Sequence, residues 1–241
     1  MRIKEKINMN KAGLTANGPI TVVAFGDSVT HGAVGFGEID YDSVYHRRLA
    51  RMISSIRSYV PVNVINSGIG GITAKASVGL MESRVFAHRP DLVIVCFGLN
   101  DINGSLEDYI EAMRAILSEC VARGIETVLL TPNMLNTYVA DDCPSDFREY
   151  AKKTAKYQTM GRMDEYMDAV KRLARGLGVK VADCYGEWRK MSATQDTTAL
   201  LANRINHPIR EMHQLFAEKI FEVIFDGEIK AARNDSTLYR D

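Results

Sequence analysis

The sequence predicts a three-layer α/β/α sandwich built on a parallel sheet, and three observations carry that prediction. Strand-like apolar runs and helical stretches alternate five times along the chain. The run Asp91-Leu92-Val93-Ile94-Val95-Cys96-Phe97 is apolar on both faces, as a strand in the middle of a parallel sheet must be. Three of the runs empty into Gly26-Asp27-Ser28, Ser67-Gly68-Ile69-Gly70-Gly71 and Gly98-Leu99-Asn100-Asp101. Chemically useful side chains and flexible backbone therefore stand at the carboxyl ends of strands, where open α/β sheets bind ligands.

Taken in order, residues 1–19 are polar, contain Gly13 and Gly18-Pro19, and read as an arm leading to the first strand at about 20–25. The glycine-rich stretch 33–41 is a loop. A helix over 42–58 puts Val44, Leu49, Met52, Ile53 and Ile56 on one face. A second strand at 61–66 runs into the glycine-rich turn, followed by a helix over 73–87. The third strand is 91–97, and 105–123 is a helix with Leu106, Ile110, Met113, Ile116 and Leu117 on its apolar side. The fourth strand, 125–131, is stopped by Pro132. A polar loop, 133–145, precedes a helical stretch over 146–177 that Gly161 breaks or kinks. The fifth strand is 178–183. Pro208 suits the first turn of the last helix, and 227–241 is a polar tail. With no internal repeat or linker, residues 1–241 are expected to form one domain, with 1–19 as arm and 227–241 as tail.

The 241 residues are 46% hydrophobic, enough for a sizeable core. Lys+Arg and Asp+Glu are both 30, so the net charge is zero and nothing favours nucleic acid or an anionic membrane surface. No run approaches the ~18 apolar residues of a membrane span, and the basic start Met1-Arg2-Ile3-Lys4-Glu5-Lys6 is followed by Ile7-Asn8-Met9-Asn10-Lys11 in place of a signal core. A cytoplasmic location is expected. Cys96, Cys120, Cys143 and Cys184 lack metal-ligand spacing, which argues against zinc and against a disulfide framework.

Acyl transfer needs a nucleophile, a base and donors for an oxyanion. Ser28 can supply the nucleophile and a backbone N–H, Gly71 a second N–H, and Asn100 a side-chain amide. Among the histidines, His46 and His213 fall within predicted helices and His88 at an exposed helix end, which leaves His207 and His31. His207, in the loop Asn203-Arg204-Ile205-Asn206-His207-Pro208, is favoured over His31 as base.

In these motifs the chain resembles the SGNH hydrolases, also called GDSL esterases and lipases. Gly26-Asp27-Ser28 is similar to that family's first block and Asn66-Ser67-Gly68-Ile69-Gly70-Gly71 to its second. Gly98-Leu99-Asn100-Asp101 matches the third, and Asn206-His207-Pro208 resembles the last. The blocks follow family order from about residue 20 to 225. The resemblance implies a flavodoxin-like sheet of order 2-1-3-4-5, Ser28 as nucleophile, His207 as base, and Ser28, Gly71 and Asn100 as oxyanion donors, with no metal or cofactor. It departs at one point: Arg204 stands three residues before His207, where the family usually has Asp. The group orienting His207 is then Asn203, a backbone carbonyl or Asp183, although Asp183 also suits a helix cap or turn.

The expected activity is hydrolysis of a small-molecule, short-chain carboxylic ester. An O-acetylated carbohydrate is the substrate class that the resemblance suggests. The loop from Asn133 and Met134 to Tyr138 is expected to wall the substrate pocket, and Tyr185 and Trp188 either stack on a sugar or pack in the core. The alternative is a catalytically inactive flavodoxin-like module that binds a small anionic or sugar ligand at turn 68–71. The absence of lysine from Gly70-Gly71-Ile72-Thr73 counts against a phosphate loop.

Overall fold

The computed structural model describes residues 3–226. Five parallel strands, β1 (Ile20–Gly26), β2 (Val62–Gly68), β3 (Leu92–Cys96), β4 (Glu126–Leu130) and β5 (Lys180–Ala182), form one sheet in the order β2-β1-β3-β4-β5. Helices cover both sides, giving the predicted three-layer sandwich. Every residue of β3 is buried, and so are six of the seven in β1, which explains their unbroken apolar character. Phe25 and Phe97 meet edge to face, with ring centroids 5.3 Å apart. In register, Gly26 pairs with both Gly68 and Cys96, so the carboxyl ends of β1, β2 and β3 lie side by side.

Several elements differ from the sequence reading. The N-terminal arm is two short helices, Ile3–Lys6 and Lys11–Asn17, with Ile3 and Ile7 buried in the core. Lys6 Nζ lies 2.7 Å from Asp91 Oδ2, and these side chains are only 6% and 11% exposed. The same carboxylate oxygen accepts the Thr21 N–H at 2.8 Å, tying the arm to the bases of β1 and β3. The helix expected over 73–87 is four short turns, Ala74–Ser77, Val78–Leu80, Met81–Arg84 and Phe86–His88. Mid-segment Gly79 weakens a continuous helix there. As the sequence leads one to expect, the stretch 146–177 does break at Gly161, whose φ of 80° is left-handed, into Arg148–Thr159 and Arg162–Gly176.

The last helix begins at His213, after a 3-10 turn at Arg210–Met212, and not at Pro208. Pro208 instead pairs with Leu201 in an antiparallel bridge, which closes the His207 loop. A helix over Cys184–Met191 was not foreseen. The tail at 227–241 lies outside the described residues. No helix among those described is long and apolar enough to cross a membrane.

Candidate active site

Asp27, directly after β1, caps the four-residue helix Ser28–His31 by accepting the Val29 N–H at 3.0 Å. That helix passes so close to β2 that a Cβ on Gly68 would stand 2.2 Å from the His31 nitrogen, so only glycine fits. Ser28 is thereby held at the helix start, and its Oγ lies 3.0 Å from His207 Nε2. On the other side of the imidazole, Nδ1 lies 3.4 Å from the Gly35 carbonyl oxygen. A carbonyl only accepts, so this contact puts the proton on Nδ1 and leaves Nε2 with a lone pair toward the serine. Burial pushes the His207 pKa below the ordinary histidine value, and the Gly35 carbonyl offsets part of that.

His207 is carried on a tightly bonded turn. Asn203 Oδ1 accepts the backbone N–H groups of Ile205, Asn206 and His207 at 3.1, 2.9 and 2.9 Å, and its Nδ2 donates to Asn206 Oδ1 at 2.8 Å. Ala202 N–H closes the turn on His207 O at 2.7 Å. Asn203 therefore shapes the loop backbone and does not orient the imidazole. Asp183 does not orient it either. Its carboxylate caps helix 184–191 through Gly186 N–H at 3.0 Å, accepts the Thr131 hydroxyl at 3.0 Å and pairs with Lys171 at 3.1 Å. Arg204, at a left-handed φ of 58°, turns away to Asp142 at 2.9 Å and to the Ala199 carbonyl at 2.9 Å. The group at Nδ1 is the Gly35 carbonyl, which no sequence signal marks, because every residue carries one.

Ser28 and His207 open onto a cavity of about 310 Å³ that Gly70, Gly71 and Asn100 also line. Gly71 takes a φ of 76°, which favours glycine, and an added Cβ there would meet open space. Asn100 Nδ2 donates to Ile72 O at 3.0 Å, which fixes the amide and leaves its second hydrogen for the cavity. Ile39, Ile205, Phe36, Phe147 and Tyr150 supply apolar wall. Phe36 and Phe147, from opposite sides, stack with centroids 4.1 Å apart.

Two acids sit behind the site. Burial, aided by the nearby charge of Asp101, raises the Asp27 pKa to about 7, and burial raises that of Asp101 to about 6. Asp101 Oδ1 accepts the Ala74 N–H at 2.9 Å.

The remaining expectations fall elsewhere. Asn133 and Met134 are 0% and 1% exposed and do not wall the cavity. Asn133 instead braces the histidine loop, donating to the Asn206 carbonyl at 2.9 Å. Trp188 and Tyr185 are core residues, closed off by helix packing, and cannot stack on a substrate. His31 meets the Tyr41 hydroxyl at 3.3 Å rather than Ser28. His46 and His213 are buried, with pKa values lowered by that burial to about 4 and about 3. All four cysteines are buried and free.

A hydroxyl, an imidazole base and amide donors around one cavity, at the carboxyl edge of a parallel 2-1-3-4-5 sheet, are the equipment of an α/β acyl-transfer hydrolase. The profile of the GDSL-like lipase/acylhydrolase family matches residues 24–215. The chain belongs to that family and is a carboxylic ester hydrolase. An acetylxylan esterase of Geobacillus stearothermophilus is 23% identical over 207 residues, 80% of this chain and 83% of the relative. The crystal structure of Axe2, an acetylxylan esterase from Geobacillus stearothermophilus, superposes with a TM-score of 0.67 at 20% identity, covering 90% of this chain and 97% of that one. The acetyl xylan esterase AlAXEase superposes at 0.64 and 18% identity, covering 84% and 98%.

Proposed function

We propose that this protein is a serine esterase that removes short acyl groups from alcohols, with O-acetylated carbohydrate as its substrate class. The observation that carries the reading is the 3.0 Å contact between Ser28 Oγ and His207 Nε2 at the cavity floor. A module that only binds a ligand has no use for a hydroxyl aligned on a buried, neutral imidazole. The acetyl group and sugar are suggested by the relatives described as acetylxylan esterases and by the modest cavity between Gly71, Asn100 and the aromatic wall.

In the first half-reaction His207 Nε2 takes the Ser28 proton as Oγ bonds to the ester carbonyl carbon. The carbonyl oxygen becomes an oxyanion. The backbone N–H groups of Ser28 and Gly71 and the Asn100 amide are the donors offered to it, and one such donor is commonly worth about 10²–10³ in kcat. The ester C–O bond then breaks and the alcohol leaves with the proton from His207. Water, deprotonated by the same nitrogen, attacks the acyl-enzyme, and the carboxylic acid departs as Oγ recovers its proton.

Ser28→Ala is expected to abolish p-nitrophenyl acetate hydrolysis with the circular dichroism spectrum unchanged. A fluorophosphonate is expected to add to Ser28 of the wild type, read by peptide mass spectrometry. Turnover persisting in purified Ser28→Ala protein would remove the mechanism.

A further inference from the structure

The Gly35 carbonyl sits on a small hairpin. Asp40 N–H bonds Gly32 O at 2.8 Å, Ala33 and Ile39 pair as an antiparallel bridge, and Val34 N–H bonds Glu38 O at 3.0 Å. A carbonyl on such a loop orients a histidine only as well as the loop itself is held, whereas a carboxylate would add a full charge. The hairpin has a second attachment, and it comes from the segment that carries the base. Arg210, three residues after His207, donates Nε to Asp40 Oδ2 at 2.7 Å and a terminal nitrogen to Glu38. Its own backbone is fixed where Arg48 donates to the Arg210 carbonyl at 3.1 Å. The Ser43 backbone N–H and then the Arg210 guanidinium, with the Ser43 hydroxyl and Asp42 N–H adding to them, hold the Asp40 carboxyl well below the usual carboxylate range, so that partner stays charged in any ordinary assay.

We propose that Arg210 is a positioning residue for catalysis: by gripping Glu38 and Asp40 it holds the Gly35 carbonyl against His207, where that carbonyl stands in for the carboxylate whose usual place Arg204 occupies. This rests on reading Ser28 and His207 as the catalytic pair. The consequence lies in the transition state, where the Nδ1 partner stabilises the imidazolium, so kcat changes and KM does not. Arg210 and Glu38 are about half exposed, and exposed ion pairs are weak individually, so the effect is moderate.

The test compares the wild type with Arg210→Met, Arg210→Lys and the double variant Glu38→Gln/Asp40→Asn. Each is assayed on p-nitrophenyl acetate with sites counted by fluorophosphonate titration. Arg210→Met is expected to lower kcat per titrated site about fivefold with KM unchanged, a size set by the usual worth of such pairs. Arg210→Lys is expected to restore part of the rate, since it keeps the charge but not the fork. The double variant, which keeps amide oxygens for the Asp42 and Ser43 N–H groups, is expected to lose as much as Arg210→Met. Wild-type kcat per titrated site in either charge-removing variant overturns the proposal, as does a loss confined to KM or to the fraction of titratable sites. Activity persisting in Ser28→Ala would instead strike the catalytic pair itself, so the two failures are distinguishable.

Discussion

His207 illustrates what a neutral partner does to an imidazole. Its Nδ1 faces a carbonyl dipole, burial disfavours the imidazolium, and the resulting pKa lies below the ordinary histidine value. Titratable groups near it include Glu38 and Tyr150 on the cavity wall, with Glu38 engaged by Arg210, the buried acids Asp27 and Asp101 behind the site, and His213 beyond. The proton-accepting form therefore survives to lower pH than a free histidine would allow. The acid limb of kcat/KM for p-nitrophenyl acetate is expected below ~6.5, the unperturbed value. A limb above neutrality in the pH–rate profile would mean that a carboxylate reaches the imidazole. At this scale Ser28, Gly71, Asn100 and His207 were legible in the sequence as members of one cavity wall, because short motifs announce them, the first three at strand ends and the last in the loop before Pro208. Asn203 was legible as important but not for its actual work, which is to gather three backbone N–H groups.

Elements owe their positions to a few polar anchors. The histidine loop is closed by the Leu201–Pro208 bridge and braced from the loop after β4 by Asn133. The hairpin 32–40 is held at its base by main-chain bonds and at its flank by Arg210. The helix at Ile3–Lys6 is too short to be stable alone and is docked through buried Ile3 and the Lys6–Asp91 pair. Removing one member of a buried pair leaves an uncompensated charge. Lys6→Ala is therefore expected to destabilise the protein by about 3 kcal/mol in urea denaturation. A change within error would show that the Lys6–Asp91 pair contributes nothing net to the docking of this helix. Nothing in the composition of the polar arm discloses this docking, since an isolated lysine gives no sign of the aspartate 85 positions away that will bury it.

For the whole molecule, buried histidines and aspartates set opposing dependences of stability on pH, with His46, His213, Asp27 and Asp101 as the cases whose shifts are large. His46 and His213 have depressed folded pKa values, so their contribution is present above the unfolded value of ~6.5 and is lost as pH falls toward about 4 and about 3. Asp27 and Asp101 have raised values, so theirs is present below the unfolded ~3.9 and is lost as pH rises through about 7 and about 6. Asp27→Asn removes one of the second kind. Its stability relative to wild type is expected to rise by on the order of 1 kcal/mol per pH unit between about pH 4 and 7. Urea denaturation of both proteins across that range measures it, and a constant difference would show that Asp27 ionises freely in the fold. The α/β class, the strands and the motifs at their carboxyl ends were readable from the chain, because hydrophobic period and turn chemistry are set within a few residues. Contacts between distant residues decided the rest. Gly35 meets His207 across 172 positions, Arg204 is turned outward by its own backbone, and Trp188, on the helix Cys184–Met191, is sealed in the core. Such pairings are choices of packing among many surfaces of similar character, and no local pattern encodes them.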